Sequence, residues 1–196
     1  MLDIVLLERD GNHFFYFEEK SREEVNDPIT PSFRARVKRK LKKAHQAVEQ
    51  RLSLDERLCS HLRFHDEAVL HAPTSFSEER TAKLFLSFVE ECVKKHRRWA
   101  LADGILAVFG TALVWVPGPN VFFLYPALRA LGHYHAQSGG SRHLNPGGPS
   151  VRSCSLLDDF STLAPDKMLH RAELIEKEFG FTQLRDFLRK KYALVL

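Results

Sequence analysis

The stretch Gly104-Ile-Leu-Ala-Val-Phe-Gly-Thr-Ala-Leu-Val-Trp-Val-Pro-Gly-Pro-Asn-Val-Phe-Phe-Leu-Tyr-Pro-Ala-Leu128 decides how this chain is read. No charge interrupts it, although charged residues make up 28% of the chain. A straight spanning helix takes ~20 apolar residues, and the stretch is long enough for that. Its middle, Pro117-Gly118-Pro119-Asn120, forbids it. Proline lacks the amide hydrogen that a helix interior needs, and it restricts the residue before it. The stretch is therefore predicted to fold as two apolar arms, Ile105 to Val116 and Val121 to Leu131, turned back at Pro117, Gly118 and Pro119. At ~1.5 Å rise per residue each arm is ~18 Å long, short of the ~30 Å hydrocarbon core. Neither arm spans a bilayer alone. A re-entrant pair dipping into lipid and a helical hairpin buried in protein both satisfy the pattern.

The flanking charges suit the first of these. Lys94, Lys95, Arg97 and Arg98 precede the arms, and Arg129 and Arg142 follow. Basic residues at both ends place both ends on one side of a membrane. Trp99, Trp115 and Tyr134 are candidate interfacial anchors. Asp103 stands at the entrance, and Arg129 and His133 lie one turn apart on the second arm. Ionisable groups at the edge of an apolar element are candidates for an ion or proton path. Capping and snorkelling are the ordinary account of the same side chains.

Working outward, Asp3 to Leu7 and His13 to Phe17 flank Asp10-Gly11-Asn12, a strong hairpin signal. A charged loop, Lys20 to Pro31, leads to Ser32, which caps a helix running to about Leu52. That helix carries Arg34, Arg36, Lys38, Arg39, Lys40, Lys42 and Lys43. A basic amphipathic helix suits an anionic lipid surface or an acidic partner, at ~1 kcal/mol per basic side chain near an anionic leaflet. It is equally the solvated face of a core helix. No nucleic-acid motif accompanies it, so no specific nucleic acid is expected. A second helix starts at Ser53, with Leu54, Leu58 and Leu62 on one face. Ala68 to Ala72 reads as a third strand, stopped by Pro73. A helix with Leu84, Phe85, Phe88, Val89 and Cys92 follows, to about Arg98.

Beyond the arms, the helix is expected to run to about Gln137 and stop at Gly139. Gly139, Gly140, Pro146, Gly147, Gly148 and Pro149 mark residues 138–150 as a flexible linker. Residues 151–196 read as a helical tail, with helices from Asp166 to Phe179 and from Thr182 to about Tyr192. The expected fold is α+β and mainly helical. It has an N-terminal β-hairpin, one further strand, long helices and the central apolar hairpin 104–131, within a single domain 1–140.

Composition narrows the function classes. At 44% apolar the chain can bury a core, and a mean hydropathy of -0.27 excludes a polytopic membrane protein. A net charge of +4 suits an anionic partner. Cys59, Cys92 and Cys154 are widely spaced, so neither a disulfide framework nor a zinc ribbon is expected, and a reducing compartment is. The N-terminus shows neither a signal peptide nor an arginine-rich transit peptide. His61 and His65 are four apart, but the Glu of a zinc-protease helix is missing, and no metal is expected. With no P-loop, dinucleotide fingerprint or nucleophile elbow, neither a cofactor nor an enzyme activity is expected.

One longer pattern remains: Pro117-Gly-Pro-Asn120-x-Phe-Phe-x-Tyr125, then Arg129, Gly132-His133-Tyr, Ala136 and Gly139. Together with the strand pair, the basic helix and the strand ending at Pro73, it resembles the mitochondrial potassium/proton exchange-related family. The resemblance covers roughly Asp3 to Gly140 and is most specific over 117–139. It carries over Pro119, Asn120, Arg129 and His133, which places Asn120 beside Asp103, Arg129 and His133 among the ion-path candidates. It implies a membrane-associated, accessory or oligomeric component of cation/proton exchange. Its setting would be a mitochondrial inner membrane or a bacterial cytoplasmic membrane. Its partners would be an anionic membrane surface, other copies of itself or exchanger subunits. The rival expectation is a soluble interaction module that uses its basic helix to bind an acidic partner.

Overall fold

Gly11 adopts φ +75°, a left-handed conformation that glycine enters without steric cost, and the chain reverses there. The reversal joins β1 (Leu2–Arg9) to β2 (Asn12–Phe17) as an antiparallel pair, with Leu6 opposite Phe15 and Leu7 opposite Phe14. The computed structural model describes residues 1–9, 11–18, 54–111, 121–144 and 148–192. Its other elements are α1 (Leu54–His61), β3 (Ala68–Ala72), α2 (Glu78–Thr111), α3 (Val121–His143), β4 (Ser150–Ser153), α4 (Pro165–Phe179) and α5 (Leu184–Tyr192). Single 3-10 turns lie at Leu62–Phe64, Ser155–Leu157 and Phe160–Thr162. The fold is mainly helical α+β, as the sequence predicts.

The described chain divides into two units. The first takes residues 1–21, 64–88 and 143–196. Its sheet has the order β2-β1-β3-β4, antiparallel at β1/β2 and parallel at β1/β3 and β3/β4. Ile4, Val5, Leu6 and Leu7 are all fully buried. Such a run, without alternation, means that both faces of the sheet are covered. On one face Phe15 meets Phe85 and Phe88 of α2, with ring centroids 5.3 and 5.1 Å apart. On the other, Tyr16 packs on Phe181 and Phe187 at 5.4 and 5.2 Å. Glu18, just past β2, accepts from the Thr182 and Gln183 backbone N–H groups and from the Thr182 hydroxyl, and so caps the start of α5 from outside it. Gly180 ends α4 in the left-handed conformation, at φ +70°.

The second unit takes residues 22–63 and 89–142. Its described elements are α1, the part of α2 after Phe88, and α3 through Arg142.

Several boundaries differ from the sequence expectation. α2 does not stop near Arg98 but continues to Thr111. Trp99-Ala-Leu-Ala-Asp103 contains no breaker, and Gly104 alone costs a helix only ~1 kcal/mol. α3 passes through Gly139 and Gly140 to His143, so the segment expected as a linker begins as helix. Those glycines are packing positions rather than a stop. The fourth strand, β4, lies just where a helical tail was expected to begin; it is four residues long and only Val151 is apolar, too short to show a period of two. α1 ends at His61, so His61 and His65 do not share a helical face. Among the described residues no helix is long and apolar enough to cross a membrane. The basic helix with Arg34 to Lys43, the turn Pro117 to Pro119, and Asn120 lie outside the described residues.

Candidate functional site

The second unit is built inside out. Along α2 the inward positions are Val89, Cys92, His96, Asp103, Ala107 and Gly110, a repeat of three, four and seven. Along α3 they are His133, Ala136, Gly139 and Gly140. Apart from Val89, these inward faces are polar or small. The bulky apolar residues of the same helices point out: Leu101, Ile105, Leu106, Val108 and Phe109 on α2, and Phe123, Leu124, Tyr125 and Leu131 on α3. Val108 and Phe109 are 69% and 71% exposed.

Two glycines set the spacing. A Cβ on Gly139 would fall on the Cys59 carbonyl oxygen and lie 2.9 Å from the Arg63 backbone nitrogen. A Cβ on Gly140 would lie 2.6 Å from a Val93 methyl group. α3 therefore touches the backbone of α1 and the side chains of α2 directly. That close approach brings polar groups from three helices together.

Glu56 comes from α1, His96 and Asp103 from α2, and His133 from α3. Their exposures are 8%, 1%, 3% and 6%. His133 Nδ1 lies 3.0 Å from Glu56 Oε1 and 2.9 Å from His96 Nδ1. His96 Nδ1 is 3.9 Å from the same Glu56 oxygen. On the far side of its ring, His133 Nε2 lies 3.4 Å from Asp103 Oδ2. That oxygen is also 3.5 Å from Arg129 Nε. The Arg129 guanidinium sits 5.8 Å from the ring centres of both Trp99 and Tyr125, within cation–π range. Burial pushes the Glu56 carboxyl up. The hydrogen bond with His133 and the charges of His96, His133 and Lys95 outweigh it, and the carboxyl is held below its ordinary value.

Two free thiols adjoin the cluster. The hydrogen bond between Cys59 and Cys92 lowers the Cys92 thiol to about 6, against burial and with help from His96. The same hydrogen bond, with burial, pushes the Cys59 thiol well above its usual range.

The structure brings together three of the four ion-path candidates, Asp103, Arg129 and His133; the fourth, Asn120, is not described. Glu56 and His96 were missed. They lie 77 and 37 residues before His133, so no local spacing joins them. One signal was available for His96. It falls on the stripe Phe85, Val89, Cys92, where a polar side chain must face inward. Arranged this way, the group can hold a cation between imidazole and carboxylate donors, or pass a proton along the line Glu56, His133, Asp103.

A family model described as mitochondrial K+-H+ exchange-related matches residues 32–146. No curated protein and no solved structure matches the chain.

Proposed function

Because the chain belongs to the mitochondrial K+-H+ exchange-related family, we propose that it serves potassium/proton exchange as a non-enzymatic accessory component. In this reading its two apolar arms hold it at the inner mitochondrial membrane. The observation behind the reading is the inverted packing of α2 and α3. Polar and small residues face in and large apolar ones face out. That is how helices pack when their surroundings are lipid, because small residues let backbones approach and ionisable groups turn to the interior.

Lengths and magnitudes fit a dip into one leaflet. From Leu101 to Thr111, α2 rises ~15 Å, half of a ~30 Å hydrocarbon core. Just before it come exposed Lys94, Lys95, Arg97 and Arg98, and then Trp99 at the level expected of an interfacial anchor. Burying the five exposed side chains of α2 contributes roughly 1–2 kcal/mol each. The four basic residues contribute ~1 kcal/mol each and are screened by salt. Apolar insertion therefore outweighs charge, and attachment is expected to survive high salt.

Two measurements test the reading. In fractionated mitochondria the protein should stay with the membrane pellet at high salt. Its deletion should change swelling in potassium salts, and His133→Ala should reproduce part of that change. Normal swelling in a clean deletion removes the exchange role. Recovery as a salt-released, monodisperse soluble protein would favour an interaction module for an acidic partner instead.

A further inference from the structure

We propose that Glu56, His96 and His133 form a binding site for one divalent transition-metal ion, zinc being the best match to the donors. The proposal goes beyond the exchange reading and does not depend on it. It rests on the geometry of the second unit alone.

Three candidate donor atoms converge from three helices. Glu56 Oε1, His96 Nδ1 and His133 Nδ1 are separated by 2.9, 3.0 and 3.9 Å. In a tetrahedral zinc site with bonds of ~2.0–2.1 Å the ligand atoms lie ~3.3 Å apart. The point in their plane equidistant from the three atoms lies ~2.0 Å from each, the length of a Zn–N or Zn–O bond, and a tetrahedral site needs the 3.9 Å Glu56–His96 span to close by about half an ångström. All three residues are buried and offer one donor atom each within this small space.

The surroundings are those of a metal-bound imidazole. A histidine that ligates through one nitrogen usually donates its other N–H to a carboxylate, which fixes ring and tautomer. Here His133 Nε2 faces Asp103 Oδ2 at 3.4 Å, and Arg129 holds Asp103 from behind. Among the described residues neither His133 Nε2 nor Asp103 Oδ2 has a hydrogen-bond partner. Metal on Nδ1 forces the ring proton onto Nε2, and a closure of a few tenths of an ångström would satisfy both atoms at once. Protons alone serve the inner side poorly. A single proton on His133 Nδ1 cannot point fully at both Glu56 and His96. A cation at the shared centre removes that competition.

The donor types choose the ion. Two imidazoles and one carboxylate suit zinc and neighbouring transition metals, while magnesium and calcium take oxygen donors. This ion is therefore not a transported alkali cation. A water would complete the coordination. The consequence is structural: one ion ties α1, α2 and α3 together.

The test uses the full chain, stripped with a chelator. Titration with zinc should show one tight equivalent and a raised melting temperature. Cobalt(II) in its place should give the visible bands of a four-coordinate ion and selectively broaden the His96 and His133 ring resonances. Glu56→Gln and His96→Gln should each weaken binding at least ~100-fold, and Asp103→Asn ~10–100-fold. His170→Ala, an exposed histidine of the first unit, should change nothing. The ring broadening reads the site even where a variant folds poorly. The proposal fails if the parent shows no stoichiometric cobalt spectrum or if broadening falls only on other histidines. It fails as well if binding survives in Glu56→Gln/His96→Gln or disappears only with Cys59→Ser and Cys92→Ser.

Discussion

His96 and His133 face each other with their Nδ1 atoms 2.9 Å apart and their rings inclined by 29°, 5.0 Å between centroids. A buried pair of imidazole edges is costly unless something sits between or beside them that both can bind. Glu56 on one side and Asp103 on the other supply the only charged oxygens that the described structure shows in contact with His133. The polar group is held in place by the fit of helix on helix, and substitutions that change the fit are expected to act on it.

Gly139→Ala should therefore destabilise the protein by ~1–3 kcal/mol, the usual cost of overpacking, because the new methyl group would meet backbone of α1 rather than a movable side chain. Gly132→Ala lies in the same helix with open space at its Cβ, and should instead gain ~0.5–1 kcal/mol from reduced backbone freedom in the unfolded chain. Urea denaturation of the two variants beside the parent checks both signs.

Arg129→Ala and Asp103→Asn should not be equivalent. Removing Arg129 leaves an ionised carboxylate buried with one imidazole contact. Removing the charge of Asp103 leaves a guanidinium whose side chain is 37% exposed and can turn to water. Breaking a fully buried pair costs ~3–5 kcal/mol. Solvent screening at Arg129 lowers that to ~1–3 kcal/mol for Arg129→Ala, and Asp103→Asn should cost less. Equal losses by chemical denaturation would show that the pair is not the source of the stability.

Phe109→Glu and Val108→Glu change side chains that already face out, so folding should be unaffected. Binding to vesicles of anionic phospholipid should drop at least tenfold, and co-sedimentation at high salt should be lost first. If both variants sediment like the parent, the outward apolar face of α2 is not the attachment surface.

Glu18→Ala tests the first unit. Its carboxylate serves two backbone N–H groups and a hydroxyl at the start of α5, so its loss should cost ~1–2 kcal/mol, as for a deleted helix cap. Limited proteolysis should show cleavage near Thr182 before cleavage elsewhere. Protection equal to the parent's would mean that the aromatic contacts of Tyr16 with Phe181 and Phe187 suffice to hold α5.

The first hairpin and the strand at Ala68–Ala72 were legible in the sequence because their signals are local: a glycine turn, and an apolar run stopped by proline. The course of α2 through Gly104 and of α3 through Gly139 was not. A glycine in a helix reads as a stop: nothing presses on Gly104 and the helix simply absorbs it, while the backbone that presses on Gly139, at Cys59, is 80 residues away. The site divides in the same way. Asp103, Arg129 and His133 stood out because charge is conspicuous beside an apolar stretch. Glu56 and His96 lie in ordinary charged surroundings, and only the meeting of three helices sets them apart from the other polar residues around them.

A fragment trimmed to the matched residues, 32–146, would keep β3 but shed both strands that flank it, since β1 comes earlier and β4 later. Its five buried residues would then carry two rows of bare amides and carbonyls, an open invitation to pairing between molecules. Expression boundaries for this protein belong outside the sheet, with Leu2 and Ser153 both retained, or the product will precipitate for reasons unrelated to its biology.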